Sequence, residues 1–342
     1  PIIWDKKNNK GRVKALVVNA GNANAHTGKD GLKIIDKYVK ALTKKIKCKS
    51  NEVLVSSTGV IGEKFNPNLI INKFEKFNSK NKNSLLESAK AIMTTDTFPK
   101  VSIKNINLDN QSFKIYGIAK GSGMIQPNMG TMLVYIFFEC EISKKLMSRL
   151  MKNNLNNTFN SITVDSDTST SDTLMMFSVG SRNINLNKKN FKILNFKTHE
   201  LMHDLSLQII KDGEGVSKLI KVNVLNARSK NQAKKIAFSI ANSPLVKTAV
   251  AGEDANWGRV IMAIGKTEEN INQNKIKVLF GNNIVCENGS ISKKINIRKL
   301  NLYMKNKTIE INVKLNSGKF YHTVYGNDLT LEYLKINADY RS

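Results

Sequence analysis

Cysteine is scarce in this chain, and long apolar runs are missing. Three cysteines occur among 342 residues, Cys48, Cys140 and Cys286, and no two of them form a CxxC pair. This spacing argues against a disulfide framework and against a cysteine-rich zinc site. No apolar run approaches the roughly 18 residues of a membrane span, and no basic leader precedes an apolar stretch. We therefore expect neither a transmembrane helix nor a signal peptide, and we expect a cytoplasmic protein.

Arginine is also scarce, although the formal net charge is +27. Lysine and arginine number 54 against 27 aspartates and glutamates, and lysine is scattered along the chain beside asparagine and isoleucine. Arginine is the residue preferred for bidentate contacts with phosphate and guanine, and no basic ribbon alternates with aromatic residues. The charge therefore does not indicate a nucleic-acid partner. The arginines are Arg12, Arg149, Arg182, Arg228, Arg259, Arg298 and Arg341.

Strand-like and helix-like segments are interspersed along the chain, and a hydrophobic content of 41% is enough for a sizeable core. This pattern predicts an α/β or α+β protein. Thr198 is expected to cap a helix that ends at Asp212-Gly213. Other helices are predicted over 84–93, 143–155 and 231–242, strands over 16–19, 53–56, 132–138 and 218–224, and a hairpin-like pair over 308–315 and 319–325.

The segment Lys120 to Ile136 reads KGSGMIQPNMGTMLVYI, a glycine-bearing loop followed by a threonine and an apolar run. The run predicts a strand buried on both faces, with Thr131 as its first residue. A hydroxyl held by a rigid strand can be aimed at a carbonyl, and cutting the preceding peptide bond would give it an α-amine as a built-in base. Thr131 is therefore a candidate nucleophile. Taken alone, the segment also fits a turn followed by a structural threonine.

Eight blocks in a fixed order extend over nearly the whole chain. They are NAGNANAHTG (19–28), VSSTGVIGE (55–63), AIMTTDTFPK (91–100), the Thr131 segment, FNSITVDSDTSTSDT (159–173), DGEGVSKLI (212–220), ANWGRVIMAIG (255–265) and KINADYRS (335–342). In this set the chain resembles the glutamate N-acetyltransferase (ornithine acetyltransferase) family of arginine biosynthesis. Family members carry several tens of residues before the region that begins here at Pro1, so we expect an N-terminally truncated chain.

The resemblance implies a self-processing fold with an N-terminal threonine nucleophile and layered sheets and helices. The chain would cut itself between Gly130 and Thr131 into an α chain, 1–130, and a β chain, 131–342. Relatives commonly have alanine before the threonine; the glycine here is equally small and should not block the cut. The expected reaction moves acetyl from N2-acetylornithine to glutamate through an acetyl-Thr131 intermediate. No cofactor is expected, acetyl-CoA is a possible co-substrate, and an α2β2 assembly is expected.

The resemblance also implies the site residues. The oxyanion hole carries over to Thr58 and Gly59 in the STGVIG segment, which we expect to be a turn after the strand at 53–56. Without the resemblance, this segment would be interpreted as an ordinary Ser/Thr/Gly turn. The substrate contacts carry over to Thr94, Lys120, Thr131, Glu214, Asn337 and Ser342.

Two alternatives remain at this point. HELMH, from His199 to His203, fits the H-E-x-x-H pattern of zinc peptidases, with Glu200 as the base. Against it, His199 lies at the predicted start of a helix and no third histidine follows at the usual spacing. The nearer alternative is a self-processing threonine aminopeptidase or amidohydrolase, because water can resolve an acyl-enzyme as an amine does.

Overall fold

The computed structural model describes residues 1–77, 84–109, 111–126, 132–185 and 187–339. Three predicted site residues, Gly130, Thr131 and Ser342, lie outside these ranges. The chain divides into two compact units. The first comprises Pro1–Gly121, Pro127–Leu155 and Thr168–Leu205, and the second comprises Ser122–Gln126, Asn156–Asp167 and Ser206–Ser342.

Helices and strands are mixed along the described residues, as an α+β fold requires. The helices are α1 (Ile2–Asn8), α2 (Gly28–Ile46), α3 (Asn68–Glu75), α4 (Leu85–Ala91), α5 (Lys144–Leu155), α6 (Lys188–Lys211), α7 (Lys230–Ala241), α8 (Pro244–Ala251), α9 (Trp257–Gly265), α10 (Ile297–Met304) and α11 (Leu331–Ala338). The strands are β1 (Ala15–Asn22), β2 (Val53–Val60), β3 (Lys100–Leu108), β4 (Gln111–Lys120), β5 (Leu133–Phe138), β6 (Thr173–Ser178), β7 (Leu219–Ala227), β8 (Lys277–Phe280), β9 (Asn283–Glu287), β10 (Ser290–Ile291), β11 (Thr308–Lys314) and β12 (Phe320–Asn327).

The first unit contains a parallel pair, β1 and β2, and a four-stranded sheet in the order β3-β4-β5-β6. As predicted, β5 is an interior strand, and five of its six residues are buried. Helix α4 begins with a capping box, in which the Ser84 hydroxyl accepts the Glu87 N–H while the Glu87 carboxylate accepts the Ser84 N–H. Its apolar side, with Ala89, packs with Tyr135 of β5 in one cluster. The helix thereby delivers the TTDT segment to this sheet.

The second unit contains a six-stranded sheet in the order β10-β9-β8-β11-β7-β12. Helix α7 packs against β7 and β12, and Val222, Ile236 and Val324 are fully buried there. The hairpin predicted from β11 and β12 is wrong, because β7 lies between them, parallel to β11 and antiparallel to β12. The loop between the two strands crosses the end of β7, where the N–H groups of Ser317 and Gly318 both donate to the Asn226 carbonyl.

Helix α6 begins at Lys188, well before the start predicted at Thr198. The Thr198 hydroxyl caps nothing; it donates to the Leu194 carbonyl one turn earlier, at 2.8 Å. Hydrogen-bonding threonines also occur inside helices, where they bond back to the fourth preceding carbonyl. The predicted end of the helix and its predicted buried positions, Leu201, Leu205 and Ile209, are confirmed.

The four-stranded sheet predicts how pieces cut between Gly130 and Thr131 would behave. Strand β4 pairs with β5 from Lys120↔Leu133 to Ile115↔Phe138, so the sheet joins the two predicted chains. We expect the cut protein to elute from a size-exclusion column as one species and to separate only in denaturant, since parting would expose the buried faces of both strands. Uncut Thr131→Ala protein, eluting at the same volume, is the control. Separation of the pieces in native buffer would contradict the prediction.

Candidate active site

Strand register gathers polar residues from distant segments at one edge of the four-stranded sheet. Lys120, the last residue of β4, is opposite Leu133, and Leu133 is in turn opposite Thr173, the first residue of β6. The residues just before β5 and β6, Met132 and Asp172, therefore lie at the same edge as Lys120. The chain enters β5 at this edge directly after the predicted nucleophile.

The Lys120 ammonium joins two of the predicted site residues. It donates hydrogen bonds to the Thr58 hydroxyl at 3.1 Å and to the Thr94 hydroxyl at 2.8 Å. Its side chain is only 9% exposed, so the charge lies in a poorly hydrated environment. Because the Thr58 oxygen accepts from the lysine, its own hydrogen is directed elsewhere and remains able to donate to a ligand. Thr58, Thr94 and Lys120, which are far apart in the sequence, thus form one cluster.

Asp96 lies beneath this cluster and fixes the backbone on both sides of it. One carboxylate oxygen accepts the Lys100 ammonium at 2.6 Å and the Gly121 N–H at 2.7 Å, and the other accepts the Thr94 N–H at 3.1 Å. The side chains of Asp96 and Lys100 are completely buried. Burial alone raises the pKa of Asp96, but the ammonium groups of Lys100 and Lys120 outweigh it, so the pKa lies below its ordinary value.

Thr58 and Gly59 lie inside β2 and not in a turn, which corrects the prediction for STGVIG. The parallel ladder continues through Ala20↔Thr58 and Gly21↔Gly59. Gly59 has φ of +123°, and a Cβ at this position would overlap the backbone of Gly21. Only glycine fits at such a close approach of two backbones. The strand thus extends by these residues because paired glycines allow the ladder to continue.

Asp172 is a buried carboxyl group at the same sheet edge. Among the described residues, neither of its oxygens has a hydrogen-bond partner of good geometry, although the Met132 N–H lies close by. Burial raises its pKa to about 8, against a lesser opposing effect of that N–H and of Lys120. Asp172 therefore keeps its proton through neutral pH and can act there as a hydrogen-bond donor.

Glu214 and Asn337 are brought together in the second unit. The Asn337 amide donates to the Glu214 carboxylate at 3.0 Å, and the Glu214 N–H donates to the Ser122 carbonyl at 3.0 Å. Gly123 approaches so closely that a Cβ there would overlap the Glu214 carboxyl group. The Glu214 side chain is thus fixed between the GSGM segment and α11. This pair belongs to the second unit, and the Lys120 cluster belongs to the first.

Comparison with known proteins identifies the family, since the model of the ArgJ family matches residues 1–342. The chain belongs to the ArgJ family. A relative from Bartonella henselae, named arginine biosynthesis bifunctional protein ArgJ, is 44% identical over 337 residues, which cover 97% of this chain and 82% of the relative. One of the same name from Caulobacter vibrioides is 41% identical over 351 residues, which cover 100% of this chain and 87% of the relative.

A crystal structure of the ArgJ protein from Bacillus halodurans, at 2.00 Å resolution, resembles this one with a TM-score of 0.55 and 31% sequence identity. The match covers 60% of this chain and 97% of that chain. The predicted fold class, a mixed α+β acetyltransferase-family fold, is confirmed by this likeness together with the family match.

The HELMH motif lies well inside α6 of this ArgJ-family chain, which corrects the view that His199 starts a helix. The rings of His199 and His203 stack with their centroids 5.9 Å apart, and Glu200 forms an ion pair with Lys197 at 2.7 Å. Burial lowers the pKa of His199, against the opposing charge of Glu200. Within the described ranges, no three His, Cys, Asp or Glu side chains are grouped as a metal ion would require.

The sequence alone does not identify three residues that lie at or near the Lys120 cluster. They are Asp96, Lys100 and Asp172. Asp96 stands in the TTDT segment and Lys100 ends the AIMTTDTFPK block, so the signal was present as an acid and a base four residues apart. Nothing in the sequence alone distinguishes that spacing from a surface pair.

In the described part of the chain, no helix has the length and apolar character needed to cross a lipid bilayer.

Asp172 predicts a pH-dependent stability. Folding raises its pKa from the ordinary value of 3.8 to about 8, so the folded state holds a proton that the unfolded chain releases. The contribution of Asp172 to stability is therefore complete below pH ~4 and is lost as the pH rises through about 8. Asp172→Asn stays neutral, and we expect its melting temperature, relative to wild type, to rise from pH 5 to about pH 8 and to level off above that pH.

The matched control for this prediction is Asp36→Asn, in which a surface carboxylate paired with Lys40 is neutralised. This change should show no comparable trend between pH 5 and 9. A difference between Asp172→Asn and wild type that stays constant with pH would show that Asp172 is ionised in the folded protein.

Proposed function

We infer that this protein is an acetyltransferase of arginine biosynthesis, a glutamate N-acetyltransferase that moves acetyl from N2-acetylornithine to glutamate. Family membership supports this, since the relatives are named arginine biosynthesis bifunctional proteins. The observation that carries the proposal is the Lys120 ammonium held on the Thr58 and Thr94 hydroxyls, at the sheet edge where the chain enters β5. Such a cluster of donors suits an oxygen that gains negative charge.

In the proposed first half-reaction, the α-amine of Thr131 takes the proton from the Thr131 hydroxyl. The hydroxyl oxygen then attacks the acetyl carbon of N-acetylornithine. The carbonyl oxygen becomes an oxyanion that accepts hydrogen bonds from the Thr58 hydroxyl and the Gly59 N–H. The amide bond breaks, the departing ornithine nitrogen takes the proton, and the acetyl group remains on Thr131 as an ester.

In the second half-reaction, the amine of glutamate attacks the acetyl-Thr131 ester. The same two donors stabilise the same kind of oxyanion, and the Thr131 oxygen leaves and recovers its proton. One nucleophile thus serves two substrates in turn. Hydrolysis would follow the same route with water in place of glutamate, so the two functions differ in which acceptor reaches the ester.

The proposed substrate contacts are matched to the charges of the two substrates. Both carry an α-carboxylate, whereas their side chains end in opposite charges. A lysine binds a carboxylate and a glutamate binds an ammonium, so the contact roles that the resemblance implies for Lys120 and for Glu214 suit substrate groups of opposite charge. The role of Ser342 stays a prediction from the resemblance.

We propose a cytoplasmic α2β2 enzyme that needs no bound cofactor. We further propose acetyl-CoA as a second acetyl donor, which would account for the word bifunctional in the names of the relatives. The proposed partners are small molecules and a second copy of the cut protein.

The first prediction is self-cleavage. The purified protein should be cut between Gly130 and Thr131, so that one of its fragments begins at Thr131. Intact mass spectrometry and N-terminal sequencing measure this directly. Thr131→Ala should stay whole because it lacks the attacking hydroxyl, whereas Thr131→Ser, which keeps one, should still cut. A wild-type protein that remains a single chain would remove Thr131 from the proposed role.

The second prediction is an acetyl relay. Initial rates against both substrates should give parallel double-reciprocal lines, the ping-pong pattern. N-acetylornithine alone should add roughly 42 Da, one acetyl group, to the fragment that begins at Thr131. Intersecting lines without an adduct would indicate direct transfer. Release of free acetate without acetylglutamate would show that the protein is a hydrolase.

The oxyanion role of Thr58 is tested in the same assay. Thr58→Ala should slow both half-reactions by about 10²–10³-fold if the hydroxyl supplies one full donor. Ser57→Ala is the matched control, because the Ser57 hydroxyl is buried in the same strand and has no hydrogen-bond partner in the part of the chain that the structure describes. Equal rates for the two variants would remove Thr58 from the oxyanion hole.

A further inference from the structure

Two lysines compete for one buried carboxylate in the first unit. Lys100 forms the direct ion pair, with its ammonium 2.6 Å from one oxygen of Asp96. The Lys120 ammonium lies 3.9 Å from the other oxygen of the same carboxylate, too far for a hydrogen bond. The Lys120 ammonium bonds instead to the hydroxyls of Thr58 and Thr94.

The attraction between Lys120 and Asp96 is strong enough to move the Lys120 side chain. Both side chains are nearly or completely buried, and charges in such an environment interact much more strongly than in water. Only a small shift of the flexible lysine side chain separates 3.9 Å from a direct ion pair. A direct ion pair with Asp96 would move the Lys120 ammonium away from its present position. Its hydrogen bonds to the Thr58 and Thr94 hydroxyls would then be lost.

We propose that Lys100 is a positioning residue for the acetyl transfer: by occupying Asp96, it keeps the Lys120 ammonium on Thr58 and Thr94, where an anionic oxygen of the substrate is bound. This inference rests on the proposed function. The Lys100 side chain is completely buried, and its ammonium also donates to the Phe98 carbonyl at 3.3 Å. Asp96 is the shared partner, and its bonds to the N–H groups of Thr94 and Gly121 fix the positions between which Lys120 is held.

The decisive comparison is between a single and a double variant. In Lys100→Met, Asp96 should draw Lys120 into a direct ion pair, and kcat/KM for acetyl transfer should fall on the order of 10–100-fold, the value of a hydrogen bond to a charged group. In Asp96→Asn/Lys100→Met that attraction is gone. An uncharged asparagine needs no ammonium partner, and its oxygen still accepts the Gly121 N–H, although its amide nitrogen cannot accept the Thr94 N–H. We therefore expect at least tenfold of the lost activity to return, a rescue that a merely structural role would not give.

The control and the folded state are checked in parallel. Lys104→Met makes the same chemical change on the same strand, at a partly exposed ion pair with Asp204, and should leave kcat/KM within a few-fold. Melting curves show whether each variant folds. If Lys100→Met is insoluble, the double variant decides alone: near-wild-type activity supports the proposal, and lost activity in a folded double variant contradicts it.

Kinetic constants show whether the anionic oxygen belongs to a substrate carboxylate or to the oxyanion. A crystal structure tests the inference separately from the proposed function. A rise in KM in Lys100→Met identifies a substrate carboxylate, and a fall in kcat at constant KM identifies the oxyanion; both support the proposal. A crystal structure of Lys100→Met should show the distance from Lys120 to Asp96 shortened from 3.9 Å, and this holds whatever the reaction is. An unchanged distance, or a double variant no better than the single one, overturns the inference. If the wild type has no acetyltransferase activity but the Lys120–Asp96 distance is shortened in Lys100→Met, only the proposed function is refuted.

Discussion

The buried carboxylate of Asp96 is the interaction on which the geometry of the Lys120 cluster depends. It accepts an ammonium group and two backbone N–H groups, one where the TTDT segment follows α4 and one where β4 ends. Removing such a charge from water is costly, and the three donors together offset this cost. The end of a helix and the end of a strand are thereby fixed to each other.

The second constraint is strand register. A one-residue slip between β4 and β5 would turn Lys120 away from Thr58 and Thr94 and would also reverse the buried faces of both strands. The same hydrophobic burial that stabilises the sheet therefore sets the position of the ammonium group. Packing and site geometry are determined together.

Much of this could be predicted from local patterns, and the failures have a common physical origin. The capping box at Ser84, the apolar run of β5 and the amphipathic α7 are properties of neighbouring residues, and the structure contains all three elements. The pairing of β7 between β11 and β12, and the continuation of β2 through Gly59, depend on contacts with residues distant in sequence. The Asp96 and Asp172 environments were missed for the same reason, since burial is a tertiary property.

The position of β7 between β11 and β12 has a consequence for biosynthesis. Both neighbours, β11 and β12, lie near the C-terminal end of the sequence, so β7 leaves the ribosome long before either can pair with it. Until then its two edges present unpaired N–H and C=O groups. The nascent chain must pass through a stage in which a hydrophobic strand can pair with other chains, and chaperone binding at this stage would govern the yield of folded protein.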